Sequence, residues 1–309
     1  MKEWLKIFAP ASVANVGPGY DVLGFAIEGL GDLVEARRIE EKTVRIIEIT
    51  GDDGKLPRNP SENTAGIAAR ETLQKLNVDA GVELKLHKQA PLKSGTGSSG
   101  ISAAASSYAV NLLFGSPLSK EELVKHCLTA ESKVSGYHAD NVAASLLGGF
   151  ILVKGYEPLE IISLGHVENL YCILVIPEIE LPTSLAREVL PGKITVQQWV
   201  HNSGHTAAIV AGILLKDTKL IGRSIRDVVV EPARTHLIPG FSDVKWAAFK
   251  SGAIGCSISG GGPSVFALCD MQENCSRIAE SMKGAFKNNG VSCKVVISEI
   301  SRLGAREVK

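Results

Sequence analysis

The residues best suited to chemistry gather in one stretch, residues 91–105, reading PLKSGTGSSGISAAA. Three glycines (Gly95, Gly97, Gly100) and three hydroxyl residues (Thr96, Ser98, Ser99) stand directly before a run of small residues. Glycine lets a backbone turn sharply and press its N–H groups against a ligand. A helix starting at the end of such a loop adds unpaired N–H groups and the positive end of its dipole, and together these make a phosphate-sized anion site. Three readings meet here. Residues 95–100 match the dinucleotide fingerprint G-x-G-x-x-G, which needs a strand just before it and an acidic residue about 20 positions on. Pro91 cuts off the alternating run 82–87, and Glu121 and Glu122 fall in a helix start. A Walker A loop is excluded, because no Lys-Ser/Thr pair follows the last glycine. The third reading is a glycine-rich turn leading into a helix.

Two other stretches hold clustered polar groups. Asn15 and Asp21 flank the tight turn Gly17-Pro18-Gly19 and could face a pocket or bond to their own backbone. His138, Asp140 and Asn141 sit beside Gly136, ahead of a small-residue helix. A zinc site would need more His, Cys or carboxylate ligands than this neighbourhood offers. Glu131 lies one or two helical turns earlier and reads by itself as a solvated face residue.

The elements that must position these groups follow from pattern. Residues 4–9 read as a first strand stopped by Pro10, and 44–49 as a second. Ser61 reads as the N-cap of a helix with Ala65, Ala69, Leu73 and Leu76 on one face. A helix from about 98 to Phe114 follows the glycine loop and stops at Gly115; Ser119 and Glu122 form a capping box for the next. Residues 150–153 and 171–176 read as strands, and 196–215 as a helix. The order then runs helix 243–250, strand 254–259, strand 264–268, helix 274–287, strand 294–300. With the strand at 171–176 this gives a split β-α-β, ferredoxin-like layer. A division between Val153 and Leu170 is expected, giving units of 1–160 and 161–309.

The bulk numbers agree with a packed enzyme-sized chain. The 309 residues are 45% hydrophobic and 21% charged, enough for a sizeable core. Lys+Arg and Asp+Glu are equal at 33, so no basic excess points to nucleic acid or an anionic membrane. No apolar run approaches a membrane span, and the start MKEWLKIFAP has no signal-peptide core. The six scattered cysteines form no C-x-x-C pair and read as reduced core residues of a cytoplasmic protein. Assembly as a homodimer is left open.

Three separated stretches, PASVANVGPGYDVLGFAI (10–27), PLKSGTGSSGISAAA and GAIGCSISGGGPSVFAL (252–268), resemble in order the three motifs of the GHMP kinases. Within that superfamily PASVANVGPGYDVLGFA, SGYHADNVAASLLGGF (135–150), LPTSLAREVLP (181–191) and EPARTHLIPGF (231–241) resemble the homoserine kinases. The loop departs from the usual pattern at Thr96, where Leu is common, and at Gly100, where Ala is common. The resemblance implies an α+β, two-domain GHMP kinase fold: a ribosomal-protein-S5-like N-terminal domain that binds ATP and a ferredoxin-like C-terminal one. It implies transfer of the γ-phosphoryl of ATP to the side-chain hydroxyl of L-homoserine, giving O-phospho-L-homoserine, in threonine biosynthesis.

The same resemblance implies roles. Pro91, Lys93, Ser94, Gly95, Thr96, Gly97, Ser98, Ser99 and Gly100 would bind ATP, the backbone N–H groups of Gly95 to Ser99 holding its phosphates and the adenine lying near Asn63. Glu131 and a loop serine, Ser99 ahead of Ser98, would hold Mg²⁺, which takes hard oxygen ligands. Relatives with an aspartate base carry it ten or eleven residues after that glutamate, where this chain has Asn141 or Val142. An amide cannot accept a proton as a base, so Asn141 is expected to place the acceptor hydroxyl, with Asp140 the fallback base. Asp21 and Asp140 suit the homoserine ammonium. Arg187 and Arg234 suit its carboxylate, and Asn15 and His138 complete the pocket. The other readings are a mevalonate or sugar kinase, a nucleotide-dependent oxidoreductase, and a non-catalytic sensor.

Overall fold

The computed structural model describes residues 4–134 and 136–309. Its first half alternates β1 (Leu5–Ala14), β2 (Leu23–Ile39), β3 (Val44–Thr50), α1 (Thr64–Leu76), β4 (Gly81–His87), α2 (Ser98–Leu113), α3 (Lys120–Ser132), α4 (Asp140–Leu147), β5 (Phe150–Tyr156) and β6 (Leu159–Gly165). The second half continues with β7 (Tyr171–Pro177), α5 (Thr183–Glu188), α6 (Val196–Leu215), α7 (Thr218–Ser224), α8 (Val230–Arg234), α9 (Phe241–Lys250), β8 (Gly255–Ile258), β9 (Val265–Cys269), α10 (Gln272–Asn288), β10 (Cys293–Glu299) and β11 (Arg306–Glu307).

Two sheets organise these elements. One runs β11-β1-β2-β4-β3, with β5 paired to β2 and β6 to β5; the other runs β10-β7-β9-β8. The second, with α9 and α10 as its crossovers, has the ferredoxin-like order expected from the strand and helix sequence. The α+β class is likewise as expected. A large core fills the space between the first sheet and α1–α4 and continues into the second sheet through Phe266, Leu268 and Leu174. Phe25 joins the two, its ring 5.0 Å from Phe150 and 5.9 Å from Phe266. A smaller core lies under α9 and α10. We propose that the two units divide between Gly165 and Tyr171, because β6 still pairs with β5. That divide lies within the window 153–170 and just past the expected limits 1–160 and 161–309. The chain then returns: β11 pairs with β1, and Ala305 N–H donates to the Ser145 carbonyl (2.8 Å).

Two local expectations are corrected, and one long strand is added. Pro10 does not stop the first strand; β1 runs on to Ala14, and the pairing with β2 shifts register between Pro10 and Ala11. A bulge absorbs the N–H that proline lacks. Helix α1 is capped by Asn63, whose Oδ1 accepts from Ala65 N–H (3.0 Å), while Ser61 Oγ accepts from Arg70 instead (3.0 Å). The long strand β2, 17 residues, has no clean alternation in sequence because it is buried on both faces at its start and interrupted by glycines.

Candidate active site

The glycine loop is positioned by both sheets. Gly97 ends it as the N-cap of α2, in the left-handed region (φ 73°), and no side chain caps the helix. The first-turn N–H groups of a 16-residue helix are thus left for whatever occupies the adjoining cleft. The loop is strapped to the second sheet by Ser259 Oγ, which donates to the Gly95 carbonyl (2.7 Å), and by Ser264 Oγ, which donates to that of Ser94 (2.5 Å). A Cβ on Gly95 would lie 2.4 Å from the Ser259 carbonyl oxygen, so only glycine permits this contact.

The cleft beside the loop has a volume of about 640 Å³. It is lined by Asn15, Asp21, Asn63, Lys93, Ser94, Gly95, Gly97, Ser98, Ser99, Glu131, His138, Asp140, Asn141, Arg187 and Arg234. Of the residues singled out in sequence, Pro91, Thr96 and Gly100 do not line it. Thr96 is fully buried with its hydroxyl on Ser94 Oγ (2.9 Å), and Gly100 packs against Val142. Both shape the loop from behind.

Ser99 Oγ donates to Glu131 Oε2 (3.0 Å). Ser98 instead donates to the Ala90 carbonyl (3.1 Å). Among the described residues, no three His, Cys, Asp or Glu side chains converge on a metal site. One carboxylate and one hydroxyl facing a cleft are a hard-oxygen pair of the kind magnesium accepts, since it keeps waters and takes phosphate oxygens for its other positions.

Asn141, in the first turn of α4, has its Oδ1 fixed by Ser12 Oγ (2.9 Å). Asp140 is only 1% exposed, and both its oxygens are engaged. Oδ1 accepts from Asn141 N–H (3.1 Å) and Oδ2 from Asn15 N–H (3.3 Å), while His138 Nδ1 lies 3.7 Å from Oδ1. Burial works against a charged imidazole, but the Asp140 carboxylate outweighs it and raises His138 to about 9. Asn15 Nδ2 donates to the Gly260 carbonyl (2.8 Å) and its Oδ1 accepts from Asp21 N–H (2.8 Å).

Two arginines arrive from the second half. Arg187, near the end of α5, donates from Nη2 to both carboxylate oxygens of Asp21 (2.8 and 3.0 Å) and from Nη1 to the Tyr20 hydroxyl (2.6 Å). Arg234, ending α8, is 2% exposed and donates to the Ala186 and Gly260 carbonyls (2.7 and 3.1 Å). Asp21 and Arg187, which sequence reasoning gave to opposite ends of a ligand, are thus paired with each other.

Several site residues escaped the sequence. Lys88 lines the cleft with its ammonium on the Asp32 carboxylate, the Ser98 carbonyl (2.8 Å) and Ser102 Oγ (2.8 Å). Its side chain and that of Asp32 are each 1% exposed. At a strand end it reads as an ordinary solvated cation. Lys55 pairs with Glu180 (2.5 Å), which also meets Lys93, a residue the sequence did single out (3.5 Å). Ser12 and Tyr20 lie inside the stretch 10–27, and Gly260, Gly261 and Gly262 inside 252–268, so motif membership was their available signal.

Models of the GHMP kinases N terminal domain and of the GHMP kinases C terminal match residues 63–149 and 209–288. A homoserine kinase of Chlorobium phaeobacteroides strain BS1 is 44% identical, over 97% of this chain and 98% of that one. The chain belongs to the homoserine kinase family of GHMP kinases. A crystal structure of the homoserine kinase of Cytophaga hutchinsonii superposes with a TM-score of 0.96 at 45% identity, covering 100% of this chain and 98% of that one. The mevalonate kinase of Methanococcus jannaschii, at 16% identity and TM-score 0.69, covering 97% and 98%, shares the GHMP kinase fold alone. Among the described residues of this GHMP kinase, no helix is long and apolar enough to cross a membrane.

Proposed function

We infer that this protein is an ATP-dependent homoserine kinase, transferring the γ-phosphoryl of ATP to the L-homoserine hydroxyl on the route to threonine. One observation carries the choice of acceptor. Two guanidiniums and a carboxylate, the complement of an amino acid's two charges, line the same cleft as an uncapped helix N-terminus. A neutral sugar would leave buried Arg234 unmatched, which is costly. The six cysteines, all unpaired, support a reducing, cytoplasmic setting.

Phosphoryl transfer asks a protein for positioning and charge neutralisation. The backbone N–H groups of residues 95–99 hold the phosphates, with Asn63 at the adenine end. Lys88 supplies a buried cation beneath the loop. Ser99 and Glu131 would hold Mg²⁺, their mutual hydrogen bond and the inward turn of Ser98 favouring Ser99 as the ligand. When bound, the ion neutralises phosphate charge. Asp21 exchanges Arg187 for the substrate ammonium, and Arg187 and Arg234 take its carboxylate. Asp140 braces Asn15, His138 and Asn141. Asn141, held by Ser12, sets the acceptor hydroxyl in line without a dedicated base. Its engaged hydrogen bonds support Asp140 as a brace over Asp140 as the proton acceptor.

A coupled ADP-release assay across homoserine, threonine, serine, mevalonate and galactose tests this. Homoserine should be strongly preferred. Arg234→Leu or Arg187→Leu should lose roughly ten- to hundredfold in kcat/KM, from charge-assisted bonds of about 1.5–3 kcal/mol each, with ATP affinity unchanged. Arginine variants with unaltered homoserine kinetics, or equal use of mevalonate, would leave only a generic GHMP kinase.

A further inference from the structure

Among the described residues, Tyr20 is the one aromatic side chain touching both arginines of the cleft. Its ring centroid lies 5.4 Å from the Arg187 guanidinium carbon and 5.3 Å from that of Arg234. Its hydroxyl accepts the 2.6 Å bond from Arg187 Nη1. The cleft wall is made by the arginines and not by Tyr20, which stands half-buried behind them. Burial, followed by the nearby Asp21 carboxylate, pushes its phenol above the ordinary value, so the hydroxyl keeps its proton.

Two like charges side by side repel: burial above all lowers Arg234, and the Arg187 charge acts in the same direction. Something must offset this repulsion and fix the two planes at once. The face of an aromatic ring does so, because its quadrupole attracts a cation, the more strongly once the pair is desolvated. The remaining contacts leave the arginines separately tethered: Arg187 to Asp21, Arg234 to the carbonyls of Ala186 and Gly260. Arg187 Nε is buried without an acceptor among the described residues, so its orientation rests on the Nη groups. Tyr20 also belongs to the first half of the chain and the arginines to the second, 167 residues on in the case of Arg187.

We propose that Tyr20 is the positioning residue of the carboxylate end of the cleft, its ring the shared backing of both guanidiniums and its hydroxyl the group that orients Arg187. The proposal rests on the homoserine kinase reading. The ring makes the pair pre-organised for one carboxylate, so its effect falls on acceptor binding and spares the transfer step.

The test compares Tyr20→Phe, which keeps the ring, with Tyr20→Leu, which removes it, in the intact enzyme. Tyr20→Leu should raise KM for homoserine by about tenfold or more, with kcat held within about threefold and KM for ATP unchanged. Competitive inhibition by L-2-aminobutyrate, which has both charged groups of homoserine and no hydroxyl, should weaken by the same factor. Tyr20→Phe should show a smaller rise, about two- to fivefold, from the lost hydroxyl bond. An unaltered homoserine KM in Tyr20→Leu overturns the proposal. So does a KM for ATP that rises in step, the mark of general disruption, or a fall in kcat alone. If Arg234→Leu also leaves homoserine kinetics unchanged, the homoserine reading falls as well; if Arg234→Leu is impaired and Tyr20→Leu is not, only the role of Tyr20 falls.

Discussion

Gly97→Ala should disable the acceptor side of the site through a single methyl group. A Cβ built on Gly97 lies 2.3 Å from Ser12 Oγ and 2.7 Å from Asn141 Oδ1, the two ends of the hydrogen bond that orients the Asn141 amide. Contacts that short do not persist, so the amide must move. The residue also sits at φ 73°, where an L side chain costs about 1–2 kcal/mol. Loss of the Ser12–Asn141 bond adds about 0.5–1.5 kcal/mol, for a total of roughly 1.5–3.5 kcal/mol. Thermal unfolding should fall by about 3–10 °C. Displacing a positioning group by about 1 Å costs on the order of a hundredfold in rate, so kcat in the ADP-release assay should drop that far, more than ATP affinity by calorimetry. Gly100→Ala is the control. It lies inside α2 without positive φ, its Cβ would meet Val142 Cγ2 at 3.2 Å, and it should keep near wild-type kcat. A Gly97→Ala enzyme with kcat within threefold of wild type, whatever its melting temperature, would refute the idea that this contact sets Asn141.

Glu131→Ala should raise the Mg²⁺ requirement by at least about tenfold and remove most turnover at ordinary Mg²⁺; near wild-type kcat across a Mg²⁺ titration would take Glu131 out of the site. Asn141→Ala should lower kcat more than it raises KM for homoserine, and the wild-type pH–rate profile should lack a steep limb owed to a carboxylate base. An active Asn141→Ala beside a dead Asp140→Asn would reverse the two assignments. His138 is raised in the fold to about 9, so the stability it contributes is fully present below its unfolded value of about 6.5 and lost as pH rises through 9. Chemical denaturation across pH 6–10 should show a decline of up to roughly 3 kcal/mol that His138→Gln abolishes; an identical slope in the variant would sink the assignment.

What could be read from the sequence was local. The helix after the glycine loop, the Ser119–Glu122 capping box and the ferredoxin-like order depend on near neighbours, and they stand where their residues put them. Ser61 misled because a good capping residue competes with a better-placed one, Asn63, two positions on. β2 escaped because its start is buried on both faces and Gly29 and Gly31 interrupt the run before the alternation of residues 33–37 begins. The missed parts of the site are all long-range. Ser12 meets Asn141 across 129 positions, Lys88 meets Asp32 across 56, and Tyr20 meets Arg187 across 167. No pattern in the intervening chain encodes such pairings. The motif resemblance named stretches that the fold brings to one cleft, but not which side chain bonds to which.

The return of the chain to β1 has a consequence for synthesis. Val308 N–H donates to the Lys6 carbonyl (3.0 Å), and Ala305 is bonded to Ser145. At about 5–20 residues per second, a ribosome makes those late partners roughly 15–60 s after Lys6 has emerged. Through that interval the outer edge of β1 stands open, an invitation to mispairing with another chain. Folding of the first half on its own therefore stays provisional until this returning segment has been made. A nascent chain stalled before Arg302 should be markedly more protease-sensitive in residues 5–14 than the released protein, and equal protection of the two would show that the edge needs no closing strand.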